Sequence, residues 1–103
     1  MRDQDHITPI DQYLIDFIRE LRNKKDLTQD DLGNIIGISR SYISDIESTN
    51  SRAKYNLRHI NSLADYFGMS PRDFLPEKPL ALKYTVRKKV ETKKIKKRKS
   101  NPK

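Results

Sequence analysis

The chain has 103 residues, no cysteine and a formal net charge of +8. That length fits one domain with a tail, and the lack of cysteine excludes a disulfide scaffold and a thiolate metal site. The opening MRDQDHITP has no apolar stretch and carries two acids, unlike a signal peptide. No apolar run approaches the ~18 residues of a membrane span, so a cytoplasmic protein is expected.

The charge is unevenly placed. Residues 79–103 hold eleven Lys/Arg and one acid, Glu91, for a net of +10, whereas residues 1–78 have a net of −2. Two readings of the basic end stand side by side. It meets a polyanion, either nucleic acid or an acidic membrane surface, or it is a solvated, disordered tail. Membrane attachment ranks low because the segment lacks the apolar face that amphipathic anchoring needs.

In chain order, Thr8-Pro9-Ile10-Asp11 has the spacing of a capping box with proline at the first helical position. Leu14, Phe17, Ile18 and Leu21 follow at helical spacing, predicting helix 1 over 9–24. Thr28-Gln29-Asp30-Asp31 is a second capping box. Leu32, Ile35 and Ile36 give helix 2 its apolar face, and Gly37 stands where a left-handed residue ends a helix. Ser39 caps helix 3, which runs to about Ser48 with Ile43 and Ile46 inward. Residues 49–55, TNSRAKY, read as a polar loop. Asn56 caps helix 4, with Leu57, Ile60, Leu63, Ala64 and Phe67 as its stripe and Gly68 as its stop. Ser70-Pro71 opens a short helix 5 through Phe74 and Leu75.

The expected fold is therefore all-α, with five short helices in a domain over 9–76 and a basic tail over 77–103. Residues 80–90 read as an unstructured exit, with an edge strand through Tyr84, Val86 and Val90 as the alternative. Residues 91–103 are almost wholly polar and read as disordered.

Gly33 is anomalous, since glycine inside a helix costs about 1 kcal/mol relative to alanine. Residues 29–48 explain it as a unit. A helix-turn-helix joins two helices at a steep angle through a tight, glycine-containing turn. Leu32, Gly33, Ile36, Gly37, Ile38, Ile43 and Ile46 supply the apolar, small and turn-forming positions such a unit needs. On this reading alanine at 33 should be tolerated and leucine should not.

The stretch LTQDDLGNIIGISRSYISDIES, followed by NLRHINSLADYFGMSPRDFL, resembles the DNA-binding domain of XRE-type regulators, with the fold of phage lambda repressor and Cro. The resemblance covers about residues 10–76. It implies that helix 3 lies in the major groove and that Arg40 and Ser41 contact bases. It implies a phosphate clamp at Gln29, with the side chain and the helix N-terminus gripping one phosphate. It also implies a structural pair between Arg22 and Glu47.

Apart from the resemblance, a 100° wheel sets Arg40, Ser41, Ser44, Asp45 and Ser48 opposite Ile43 and Ile46. Arg40 can bond guanine O6 and N7 together. Asp45 is an awkward member, because phosphates repel a carboxylate. It accepts from cytosine N4, orients Arg40 or Arg52, or signals that this face does not bind DNA. Tyr42 offers its hydroxyl to the DNA backbone or packs against the loop. Arg52, Lys54 and Arg58 are further phosphate candidates.

Catalysis has no support. His6 and His59 are far apart in sequence, and neither HExxH, a P-loop nor GxSxG is present. No cofactor or metal site is expected. The expected function is sequence-specific DNA binding by a transcriptional regulator, as a repressor and a homodimer at the nucleoid. The dimer surface would involve Phe74 and Leu75 or a strand near Tyr84–Val86. The competing reading is an antitoxin or bridging protein whose main partner, such as a toxin, is a protein.

Overall fold

The computed structural model describes residues 7–48 and 51–82. Four α-helices and one 3₁₀ turn make up its regular structure: α1 Pro9–Lys24, α2 Gln29–Ile36, α3 Arg40–Glu47, α4 Leu57–Phe67 and the turn Pro71–Phe74. No strand occurs among the described residues. The expected fifth α-helix is corrected to that single 3₁₀ turn. Asp73 N–H donates to Ser70 C=O at 2.9 Å and Leu75 N–H to Arg72 C=O at 3.2 Å. Four residues between two prolines are too few to close an α-helical ladder, and the tighter i→i+3 bond is used instead. Residues 77–82 leave the domain without regular structure. The disorder expected for the tail, and the strand considered near Tyr84–Val86, fall on 83–103 outside the described residues.

Helix starts are set by local side chains. Thr8, Thr28 and Asn56 each form a full capping box, with Asp11, Asp31 and His59 respectively, and the Ser39 side chain accepts from Tyr42 N–H. Such caps satisfy N–H groups that have no partner inside the helix. At the end of α1, Asp26 takes a left-handed φ of 62°, and Leu27 N–H returns to Arg22 C=O at 3.0 Å. Glycine usually fills that place, and aspartate is among the few residues that tolerate it.

α2 packs on α3 and α4, while α1 packs on α3 and the 3₁₀ turn. The core holds Leu14, Ile15 and Ile18 of α1, Leu32 of α2, and Ile43 and Ile46 of α3. Tyr55, Ile60, Leu63, Ala64 and Phe74 complete it. Phe17, Leu21, Ile35, Ile36, Ile38 and Phe67 are half-buried against it. Two expectations change. Leu57, placed on the core stripe of α4, is 78% exposed, although His59 and Ile60 in the same turn are buried. Tyr55, assigned to a polar loop, is buried and meets the His59 ring edge-on at 6.0 Å.

Gly37 ends α2 with φ 81°. Its N–H and that of Ile38 both donate to Gly33 C=O, at 2.7 and 2.9 Å. The turn is thereby folded back over Gly33. A Cβ on residue 33 would stand 2.5 Å from the Ile38 carbonyl oxygen, a backbone atom that cannot swing aside. Glycine is therefore favoured by the turn itself, and an alanine there requires the turn to shift. Alanine gains about 1 kcal/mol of helix propensity but forces the turn outward, at a cost of about 1–3 kcal/mol. Gly33→Ala should lower the urea midpoint, and Gly33→Leu should abolish cooperative unfolding. An unchanged midpoint for the alanine variant would show that the turn yields freely.

His59 Nδ1 accepts from Asn56 N–H at 3.1 Å, so the cap requires a neutral imidazole. Burial, and secondarily the charge of Arg58, lower its pKa below the ordinary 6.5. The unfolded chain therefore takes up this proton first. The stabilisation is complete above about pH 6.5 and is lost as pH falls through the lower folded-state value. Thermal melts of wild type should fall between about pH 7 and 5, and His59→Gln, which keeps an acceptor, should remove most of that fall. Identical pH profiles for the two proteins would show that His59 is not the titrating group.

Candidate nucleic-acid interface

α3 is divided sharply by burial. Ile43 and Ile46 are 0% and 2% exposed, whereas Arg40, Ser41, Ser44, Asp45 and Ser48 all face solvent. The apolar pair fixes the helix on the core, and the opposite face is left polar and short. Three serines on it allow close approach to a partner. Arg40 is at the first helical position, and among the described residues no carboxylate pairs with it. Asp45 is likewise without an ion pair there, so its suggested role of orienting Arg40 or Arg52 is not met in this structure. Tyr42 sits exposed on the flank of the same helix.

Behind this face lies a charged knot. Arg22 Nε donates to Glu47 Oε2 at 3.1 Å and Nη2 to Oε1 at 2.9 Å. Arg22 Nη1 donates to Leu27 C=O at 2.9 Å. Gln29 Nε2 donates to Glu47 Oε1 at 3.0 Å. The end of α1 and the start of α2 thus meet on the one carboxylate at the end of α3, and Arg22 also ties in the α1–α2 loop. The side chains of Arg22 and Glu47 are only 13% and 7% exposed, and a paired, bidentate arrangement suits such burial. The pairing expected from sequence is present.

Gln29 is therefore not a free clamp, since one of its amide hydrogens is committed to Glu47. Its second amide hydrogen is uncommitted, whereas at the start of α2 the Asp31 N–H is taken by the Thr28 hydroxyl at 3.0 Å. Lys54 approaches Asp11 at 3.7 Å at the start of α1. Arg52 and Arg58 are exposed and form no ion pair among the described residues.

Tyr55 is the member that sequence reading passed over. Burial, reinforced by the negative charge of Glu47, pushes its hydroxyl far above the ordinary phenol range. Tyr55 immediately precedes the Asn56 cap, and the buried Ile60 is the fourth residue of α4. An apolar residue before a cap paired with one at the fourth helical position is the hydrophobic-staple pattern, and that was the available signal. Among the described residues no cluster could hold a metal ion, and no helix is long and apolar enough to cross a membrane.

An apolar-anchored helix, set across a second helix by a glycine turn and presenting a polar face, defines the helix-turn-helix class. The family model described as helix-turn-helix matches residues 18–74, more than half of the chain, and the protein belongs to that family, the XRE-type helix-turn-helix proteins. It is a DNA-binding domain of the kind found in transcription regulators. Searches of curated proteins and of solved structures find no significant match.

Removing one partner of the Arg22–Glu47 pair strands the other charge. Glu47→Leu alone should cost about 3 kcal/mol in urea unfolding, while Arg22→Met with Glu47→Leu should recover a large part of that loss. If the double variant is as unstable as the sum of the singles, the two residues do not act as a pair.

Proposed function

We propose that the protein is a sequence-specific repressor that binds double-stranded DNA as a homodimer, with α3 in the major groove. The observation that carries this reading is the division of α3, with two isoleucines locked in the core and Arg40, Ser41, Ser44 and Asp45 presented outward. Arg40 reads guanine through O6 and N7, the two serines permit close approach, and Asp45 accepts from cytosine N4. Gln29, Tyr42, Arg52, Lys54 and Arg58 position the protein on phosphates. Residues 9–76 form the reading unit, and residues 77–103 add charge that specifies nothing.

Pairing follows from size, because one small domain touches too little DNA for tight specific binding. Half-sites about one helical turn apart are the geometry of this class. Phe74 is 0% exposed and belongs to the core, so it is removed from the proposed dimer surface. Leu75, 42% exposed, remains on it.

Selection from a random duplex pool should yield an inverted repeat, and that site then serves for two variants. Arg40→Ala should relax preference at one base pair per half-site by about 1–3 kcal/mol, with little change in salt dependence. Truncation after Leu82 should weaken binding to every sequence and flatten the salt slope by about 0.9 for each phosphate no longer neutralised. If Arg40→Ala weakens all duplexes equally, α3 is not the reading helix. If the selected site is single and asymmetric, the homodimer is wrong.

A further inference from the structure

α1 has a second face that the DNA-reading role does not use. Tyr13, Asp16, Phe17 and Glu20 fall at i, i+3, i+4 and i+7 and line a surface hollow of about 220 Å³. Two aromatic rings and two carboxylates make it both apolar and acidic. Asp16 is partly compensated, since its Oδ1 accepts from Gln12 Nε2 at 2.9 Å and from Arg19 Nη2 at 3.0 Å. Glu20 is exposed and forms no ion pair among the described residues. The chain leaves its last regular element beside this face, because the Phe74 ring meets Phe17 edge-on at 5.1 Å.

We propose that this hollow is the docking site for the basic segment 83–103 of the same chain. That segment has eleven Lys/Arg and one acid, with Tyr84, Val86, Val90 and Ile95 interspersed, so it matches the hollow in both charge and apolar content. A lysine or arginine beside Asp16 also finds the Tyr13 ring one turn away, where charge pairing and cation–π attraction add. Reach is sufficient: the nine residues from Phe74 to Lys83 span up to ~30 Å, and α1 is only ~24 Å long. A second copy of the same face is a poor occupant. Symmetric pairing would set Asp16 and Glu20 against the partner's identical carboxylates.

Exposed ion pairs are individually weak and screened by salt, so the docked segment is held loosely. DNA phosphates compete for the same lysines. This consequence rests on the DNA-binding reading, whereas the docking does not. The tail is occupied when DNA is absent, and its attraction to random duplex is reduced.

Zero-length carbodiimide coupling of the full-length protein at low salt, followed by peptide mapping of the monomer, tests the docking. Links from Glu20 and Asp16 to lysines of 83–103 should outnumber links from the exposed Asp30 and Asp65, and should fall at high salt. Tyr13→Ser should cut the Asp16 links about three-fold with an unchanged circular-dichroism melt. Links spread evenly over exposed carboxylates, links found only between chains, or a yield indifferent to Tyr13→Ser would each overturn the proposal. In parallel, Glu20→Lys should raise affinity for scrambled duplex about five-fold. Failure of the DNA-binding reading would appear instead as no duplex affinity in either protein, with the cross-links unaffected.

Discussion

The carbonyl oxygen of Ile38 lies 2.5 Å from where a Cβ on residue 33 would stand, and the rest of the domain is arranged around that approach. Two N–H bonds onto Gly33 C=O pull the turn down. The turn sets where α3 begins, and the start of α3 sets which of its residues reach the core. Ile43 and Ile46 then pack with Leu32 and with the α1 and α4 residues. A side chain at 33 would lift the turn and tilt α3, so packing and the outward polar face would shift together. Loss of helix propensity at one position is the small cost of a fixed crossing of two helices.

Burial alone would leave α3 free to pivot about its two isoleucines. The Glu47 carboxylate prevents that at the far end of the helix. It is held by Arg22 from α1 and by Gln29 from α2, and Arg22 also binds the Leu27 carbonyl in the loop between them. A nearly buried charge is expensive when unpaired and specific when paired. Two donors from two helices satisfy this one only when α3 sits in a single orientation. Lys25, whose ammonium lies 5.6 Å from the centre of the Phe67 ring, joins the end of α1 to the end of α4 more loosely.

Local chemistry was legible in the sequence, and long-range cover was not. Thr8, Thr28, Ser39, Asn56 and Ser70 each cap the element they were expected to cap, because a cap is decided by residues three or four apart. The helix-turn-helix unit was legible for the same reason, being one compact stretch. Leu57 misled because periodicity assigns a residue to a face but does not say how wide the covered part of that face is at the end of the helix. Tyr55 was hidden inside a polar run, and its burial places it in a core drawn from residues distant in the chain. The left-handed Asp26 lacked the glycine that usually marks such a position. The preference for glycine over alanine at 33 arises from a carbonyl five residues away whose position only the folded turn defines. Of the candidate interface, the outward residues of α3 followed from helical spacing, whereas the engagement of Gln29 with Glu47 joins residues eighteen apart.

The division of α3 between two faces has a consequence for how such a protein changes over time. Ser39, Ile43, Ile46 and Glu47 hold the helix through its cap, the core and the buried ion pair. Arg40, Ser41, Ser44 and Asp45 contribute no side-chain contact on which that placement depends. The two sets are interleaved in sequence yet separate in what they hold, so drift in one need not be compensated in the other. New combinations at the four outward positions can be tried on an unchanged scaffold, and on the proposed reading lineages would diverge in the sites they recognise long before they diverge in shape.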